Sequence, residues 1–266
     1  MVQTFGIVNV TRDSFSDGGR FVDPQAALAH AHRLLTDGAA VLDVGAESTH
    51  PDAEDVPPAE EIRRLLPVVG PLLAAGAIVS VDTCKPAVMQ CMVEQGVTWL
   101  NDVHGFRTPA AMAVAAAAPA AVRFVVMYSR SLTARADRPT DEVALLEPMR
   151  AFFRERLASF AANGIDPARL VFDPGMGFFL GRTASPSLSV LKHLAQLREF
   201  GVPLLVSVSR KSLVGEVTGR PVDQRGPGTL AAELWAARQG ASWIRTHDVA
   251  AFRDAWAVEA AIENAR

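Results

Sequence analysis

Short β-branched runs alternate with longer amphipathic stretches along the whole chain. Strand-like runs fall at Thr4–Val10, Val41–Val44, Ile78–Val81, Trp99–Asn101, Arg123–Met127, Leu170–Phe172, Leu204–Ser207 and Trp243–Arg245. Helical patterns occupy 24–36, 59–74, 86–95, 109–118, 142–163, 187–200, 229–239 and 248–264. Strands separated by helices pair in parallel, because a parallel neighbour needs a crossover. Near-continuous apolar strands such as IVNV and LLVSV suit a sheet covered on both faces. Leu65–Val81 is apolar enough to resemble a membrane span, but Pro67, Gly70, Pro71 and Gly76 break it. It reads as helix, loop and buried strand.

Eight such units predict a single (β/α)8 barrel domain over residues 1–266, with a doubly wound open sheet as the competing arrangement. The polar residues discriminate between the two. Nearly every strand runs into chemistry-bearing groups: Asn9 and Thr11; Asp43 with Glu47, Ser48 and Thr49; Asp82; Asn101 and Asp102; Met127 and Tyr128; Asp173; Ser209, Arg210 and Lys211; Arg245 and His247. A barrel gathers all these carboxyl ends on one face, where barrel enzymes place their sites; an open sheet scatters them.

The formal net charge of −3 offers no basic field to recruit nucleic acid or an anionic membrane, so an anion has to be held by a few placed groups. The two cysteines, Cys84 and Cys91, are too few for a disulfide framework and read as free thiols in a reducing cytosol. The N-terminus shows no signal-peptide pattern, and the expected location is cytoplasmic.

The rim groups fall into two sets. Lys211, Arg245 and His247 are candidate anion binders on the last strands, a region that commonly holds phosphate in barrels. Asp82, Asn101 and Asp173 suit a flat, donor-rich heterocycle, since a carboxylate accepts a guanidine-like edge with two parallel hydrogen bonds. Asn9 offers an oxygen to Mg²⁺, which takes few protein ligands beside substrate phosphates, whereas zinc-ligand spacing is absent. The Asp17–Gly18–Gly19 segment after the first strand reads as a mobile lid. Taken singly, each of these residues has a plain alternative as a turn former or helix cap.

In order along the chain stand NVTRDSFSDGG, DVGAESTHPDA, SVDT, NDVHGF, DPGMGF, SVSRKS and RTHD. Together they resemble the signature motifs of the dihydropteroate synthases over nearly the whole chain. The resemblance implies condensation of 6-hydroxymethyl-7,8-dihydropterin pyrophosphate with 4-aminobenzoate, releasing pyrophosphate. It implies that Asp82, Asn101, Met127, Asp173 and Lys211 hold the pterin. Asn9, through Mg²⁺, with Thr49, Arg245 and His247 would hold the pyrophosphate, and Thr11, Phe178, Ser209 and Arg210 the aminobenzoate. Catalysis would rest on Asp82, Lys211, Arg245 and His247, in a homodimer. Two other readings remain open: a pterin-binding methyltransferase, and a non-catalytic pterin-binding paralogue.

Arg12 stands where the family pattern has proline, and His50 where it has arginine. The DPGMGFFLGRTASPS segment is longer than usual, with an extra Phe-Gly-like element around Phe178–Gly181. His50-Pro51-Asp52, Met176–Leu180 and VSVSRKS are similar to the sulfonamide-tolerant Sul-type synthases. Phe178, Phe179 and Gly181 are the expected discriminators, by steric exclusion of a drug bulkier than aminobenzoate.

Overall fold

The computed structural model describes residues 2–11, 23–48, 55–130 and 145–265. Its strands are β1 (Gln3–Asn9), β2 (Val41–Gly45), β3 (Val79–Asp82), β4 (Trp99–Asp102), β5 (Arg123–Met127), β6 (Leu170–Asp173), β7 (Leu205–Val206) and β8 (Trp243–Thr246). All pair in parallel in the order β6-β5-β4-β3-β2-β1-β8-β7. A bridge between Phe172 and Leu204 joins the two end strands, and the Phe172 N–H donates to Pro203 O at 2.9 Å. The sheet therefore meets itself, as the expected barrel requires and an open sheet does not.

Helices α1 (Pro24–Thr36), α2 (Pro58–Ala74), α3 (Pro86–Glu94), α4 (Pro109–Ala117), α5 (Leu146–Ala162), α6 (Ala184–Lys192), α7 (Ser212–Thr218), α8 (Gly226–Arg238) and α9 (Val249–Glu263) follow the strands. The sequence marks their starts. Proline opens each of α1 to α4, where its missing N–H costs nothing. Asp23, Thr108 and Asp248 cap α1, α4 and α9 by accepting backbone N–H bonds at 2.9, 3.1 and 3.0 Å.

The structure revises three expectations. The helix read at 187–200 is two pieces: α6 ends at Lys192, and a tighter 3-10 helix runs Leu194–Phe200. His193 marks the joint, its backbone N–H bonded to Ser189 O and its ring Nδ1 2.9 Å from the same oxygen. The short helix α7 follows β7 as an additional element, and β7 itself is only two residues long because Ser207 and Val208 leave the ladder to form the rim.

Inside the barrel, Phe5, Val41, Trp99, Val125, Val171 and Leu205 pack with Trp243 as a floor. Phe5, Trp99 and Trp243 meet edge to face with centroids 5.1 to 5.3 Å apart. Strand side chains alternate, so the residue two beyond each floor position also points inward, one layer higher. From Val41, Trp99, Val125, Val171 and Trp243 that step leads to Asp43, Asn101, Met127, Asp173 and Arg245. The intervening residues Leu42, Leu100, Val126, Phe172 and Ile244 are fully buried in the shells beneath the helices. Period-two geometry thus places an apolar plug under a polar mouth.

Candidate active site

At the centre of the mouth, Arg245 Nε donates to Asp43 Oδ2 at 2.5 Å, and its Nη2 donates to Asp82 Oδ2 at 2.8 Å. Asn101 Nδ2 reaches the same Asp43 oxygen at 3.1 Å. Asp43 is wholly buried, and its Oδ1 has no hydrogen-bond partner. Burial pushes the Asp82 carboxyl up to about 7; Arg245 opposes the rise, and Asp43, Glu61 and Asp102 add to it. Beside this group, Lys85 ion-pairs with Glu47 and with the buried Glu61, the latter at 2.9 Å, tying the end of β2 to α2 and the start of α3.

Asp173 lies across the mouth at the tip of β6, accepting from the Gly175 N–H at 2.7 Å. Gly175 has φ +68°, and a Cβ there would stand 2.3 Å from Tyr128 O, so only glycine allows this turn. Burial raises Asp173 to about 6, against the pull of Lys211 and the Gly175 N–H. Lys211 is lowered to about 8 by burial, with Asp173 opposing. Its ammonium donates to Met176 O at 3.2 Å and lies 5.4 Å from the centre of the Phe179 ring.

The third side is built by the segment after β7 and the end of β8. Ser209 Oγ lies 2.9 Å from His247 Nδ1 and 3.2 Å from the His247 backbone N, with Thr246 Oγ1 at 3.4 Å. Arg210 adopts φ +57°, a conformation unfavourable for a side chain with a Cβ. Two tethers hold it: its N–H donates to Thr229 Oγ1 at 3.0 Å, and its carbonyl accepts from Arg225 Nη1 at 2.9 Å. Burial lowers His247 to about 3, helped by the positive charges of Arg210, Arg245 and Lys211 and by His30. Its ring is neutral near neutral pH.

The residues expected from sequence are thus gathered: Asp82, Asn101, Met127, Asp173, Lys211, Arg245, Ser209 and His247 stand at the strand ends of one barrel face. Asn9 ends β1, and among the described residues no hydrogen bond engages its amide. Arg210 turns a tethered backbone into the site while its residue is exposed. Within the 3-10 turn Gly177–Phe179, the two aromatics differ: Phe179 is buried beside Lys211, whereas Phe178 is 40% exposed. Gly181 is buried, hydrogen-bonded to Gly177 O. Thr49, Arg12, His50 and the lid at 17–19 lie outside the described residues. Among the described residues no group of three or more His, Cys, Asp or Glu could hold a metal ion.

One residue escaped the sequence reading altogether, and another was read as a polar strand end without a role. The second is Asp43, which anchors Arg245 from below. Glu233 lies on α8 behind Thr246, hidden in a helix whose pattern gives no hint of the mouth.

Residues 5–247 match the model of the pterin-binding enzyme family. The chain belongs to this family. More narrowly, it belongs with the dihydropteroate synthases. It is 46% identical over 263 residues to dihydropteroate synthase type-2 of Escherichia coli, covering 97% of this chain and 95% of that one. With dihydropteroate synthase type-3 of Escherichia coli it shares 41% over 264 residues, 98% of this chain and 100% of the relative. Among solved structures, Xanthomonas albilineans dihydropteroate synthase with 4-aminobenzoic acid superposes with a TM-score of 0.90 at 42% identity, covering 100% of this chain and 94% of that one. The same organism's enzyme in complex with 7,8-dihydropteroate gives 0.86 at 40%, over 100% and 95%. Among the described residues of this dihydropteroate synthase family member, no helix is long and apolar enough to cross a membrane.

Proposed function

We propose that this chain makes 7,8-dihydropteroate by joining the methylene carbon of a pterin pyrophosphate to the amine of 4-aminobenzoate. The observation that carries this reading is the juxtaposition at one mouth of two acids, the half-buried Asp82 and the buried Asp173, with Asn101 and two cations, Arg245 and Lys211. That set complements a pterin on one side and a diphosphate on the other. The solved relatives bound to 4-aminobenzoic acid and to 7,8-dihydropteroate, a substrate and the product of that reaction, agree with it.

Asp82, Asn101, Asp173 and Lys211 grip the pterin's polar edge, and Met127 packs on its ring. Arg245 uses Nε and Nη2 on the two aspartates, leaving Nη1 for the pyrophosphate beside His247 and Thr49. Ser209, Arg210, Thr11 and Phe178 border the aminobenzoate. The C–O bond to pyrophosphate breaks first, leaving positive charge on the pterin that the Asp82 carboxylate stabilises. Arg245 and His247 receive the departing anion. The aniline nitrogen then forms the new C–N bond and releases its proton; no strong base is needed, because the amine is already a free nucleophile.

A bound Mg²⁺ would supply further positive charge to the diphosphate. The donor set fits that role: among the described residues nothing engages the Asn9 amide, and no cluster of carboxylates competes for the ion. Sulfonamide insensitivity follows from the Phe178–Phe179 turn at the aminobenzoate side, where an exposed ring stands in the path of a larger substituent. The reading also places the protein in the cytoplasm as a homodimer. Trp235 and Ile262, 44% and 68% exposed on α8 and α9, supply apolar surface for the partner.

Purified protein given both substrates is expected to release pyrophosphate only when 4-aminobenzoate is present. Pterin binding without release would overturn the reading in favour of a non-catalytic carrier.

A further inference from the structure

Glu233 has no place in the reaction just described, yet it is 1% exposed on α8 and its Oε1 has no partner. Its carboxyl faces the Thr246 hydroxyl. Thr246 Oγ1 also accepts the Asp248 N–H at 3.2 Å and lies 3.4 Å from Ser209 Oγ. A chain of polar groups therefore runs from the helical layer through Thr246 and Ser209 to the His247 ring.

The protons along this chain can be counted. A hydroxyl has one proton to give and two lone pairs to fill. The His247 backbone N–H fills one lone pair of Ser209 Oγ. Ser209 must then donate to one of its two other neighbours, His247 Nδ1 or Thr246 Oγ1, and accept from the remaining one. If it donates to Nδ1, Thr246 gives its proton to Ser209 and has a lone pair left facing Glu233, which only a protonated carboxyl can fill. If it donates to Thr246, Thr246 gives its own proton to Glu233, which must then accept, and Nδ1 carries the ring hydrogen. The charge on Glu233 thus selects the direction of the whole chain.

A carboxylate taken out of water with one oxygen unpartnered is strongly disfavoured. Burial pushes Glu233 up to about 8; the contact with Thr246 opposes the rise, and Asp248, the charged group beside it, adds to it. The acid form holds near neutral pH, the first arrangement applies, and neutral His247 carries its proton on Nε2. That is the ring edge opposite Ser209, in the company of Arg210, Arg245 and Lys211.

We propose that Glu233 is a positioning residue which, through Thr246 and Ser209, fixes His247 as the Nε2–H tautomer and makes its outer edge a hydrogen-bond donor to the leaving pyrophosphate. The anion in this statement rests on the synthase reading; the tautomer does not.

The test uses the whole protein, nitrogen-15-labelled at histidine, with inorganic pyrophosphate and Mg²⁺ as the probe. Wild type is expected to show a bare Nδ1 and a protonated Nε2 at His247, the signal being assigned with His247→Gln. Glu233→Gln keeps a donor toward Thr246 and should preserve both the tautomer and pyrophosphate affinity. Glu233→Leu removes the donor without burying a new charge, and its His247 should shift toward Nδ1–H. Its pyrophosphate affinity should fall about tenfold, the size of one lost hydrogen bond to a charged group. A protonated Nδ1 in wild type, an unaltered tautomer in Glu233→Leu, or a changed tautomer with unaltered pyrophosphate affinity would each overturn the proposal. Wild type that fails to turn over both substrates would instead overturn the synthase reading, and the nitrogen signals separate the two failures.

Discussion

Arg245 stands between Asp43 and Asp82, bonded to the first through Nε and to the second through Nη2 at 2.8 Å. One guanidinium therefore holds the buried Asp43 and the half-buried Asp82 carboxylates, which would otherwise repel each other. Removing it leaves both uncompensated, and breaking a buried pair in this way costs about 3–5 kcal/mol. Arg245→Met is expected to unfold at markedly lower urea concentration than wild type. A variant of unchanged urea midpoint would show that the aspartates do not depend on this residue.

Asp82 is expected to act on the developing pterin cation, not on the architecture alone. Asp82→Asn keeps the shape and a hydrogen-bonding side chain while removing the charge. It should lower kcat by roughly 10²–10³-fold, the usual cost of deleting one electrostatic contact to a transition state. Steady-state kinetics that show a raised KM with undiminished kcat would assign Asp82 to binding only.

The pH profile of kcat/KM follows from the directions of the shifts. Asp173 and Asp82, raised to about 6 and about 7, lose their charge as pH falls through those values. Lys211, lowered to about 8, loses its charge as pH rises past it. The expected curve is a narrow bell, since kcat/KM reports the groups of the free enzyme. In the double variant Lys211→Gln/Glu233→Gln, which also removes the carboxyl raised to about 8, the alkaline limb should vanish, leaving a lower plateau. An alkaline limb that persists in that variant would refute the assignment.

Glu233 carries a stability signature of its own. Its carboxyl sits at about 8 in the fold against an ordinary 4.5, so folding is favoured with the acid form and stability is lost as pH rises through about 8. The slope contributed is at most about 1.4 kcal/mol per pH unit. Urea unfolding at several pH values should show wild type losing ground to Glu233→Gln between mildly acid and mildly alkaline solution. Parallel curves would mean that the carboxyl ionises freely.

Shortening the turn at Phe178–Phe179 by those two residues should raise sulfonamide affinity while 4-aminobenzoate is still used. Unchanged inhibition constants would show that the aromatics only pack beneath the loop.

Most of the barrel was legible because hydropathy periods of two and of helical length alternate without interruption. The strand boundaries read from sequence lie within about a residue of those observed at each end, β7 losing one residue at both. The helix α7 was not legible: SLVGEVT is two turns long, with a glycine and three β-branched residues, and carries too little pattern to read. The rim residues were legible singly as polar tips, and their convergence followed from the barrel. The role of Asp43, itself read as a polar tip, was not legible, and neither was Glu233, since each is defined by a partner distant in sequence: Arg245 for the first, the Thr246–Ser209–His247 chain for the second. Proton placement in particular is a property of assembled groups, which no linear pattern encodes.

The offset of two residues between the aromatic floor and the ring of functional side chains restricts how this protein can change. Adding or deleting one residue between Trp243 and Arg245 would swing the guanidinium outward among the helices and put an apolar side chain at the mouth. Length changes can accumulate only beyond the strand tips. Divergence in specificity is thereby channelled into loops such as the one carrying Phe178, while the ladder beneath keeps a fixed count.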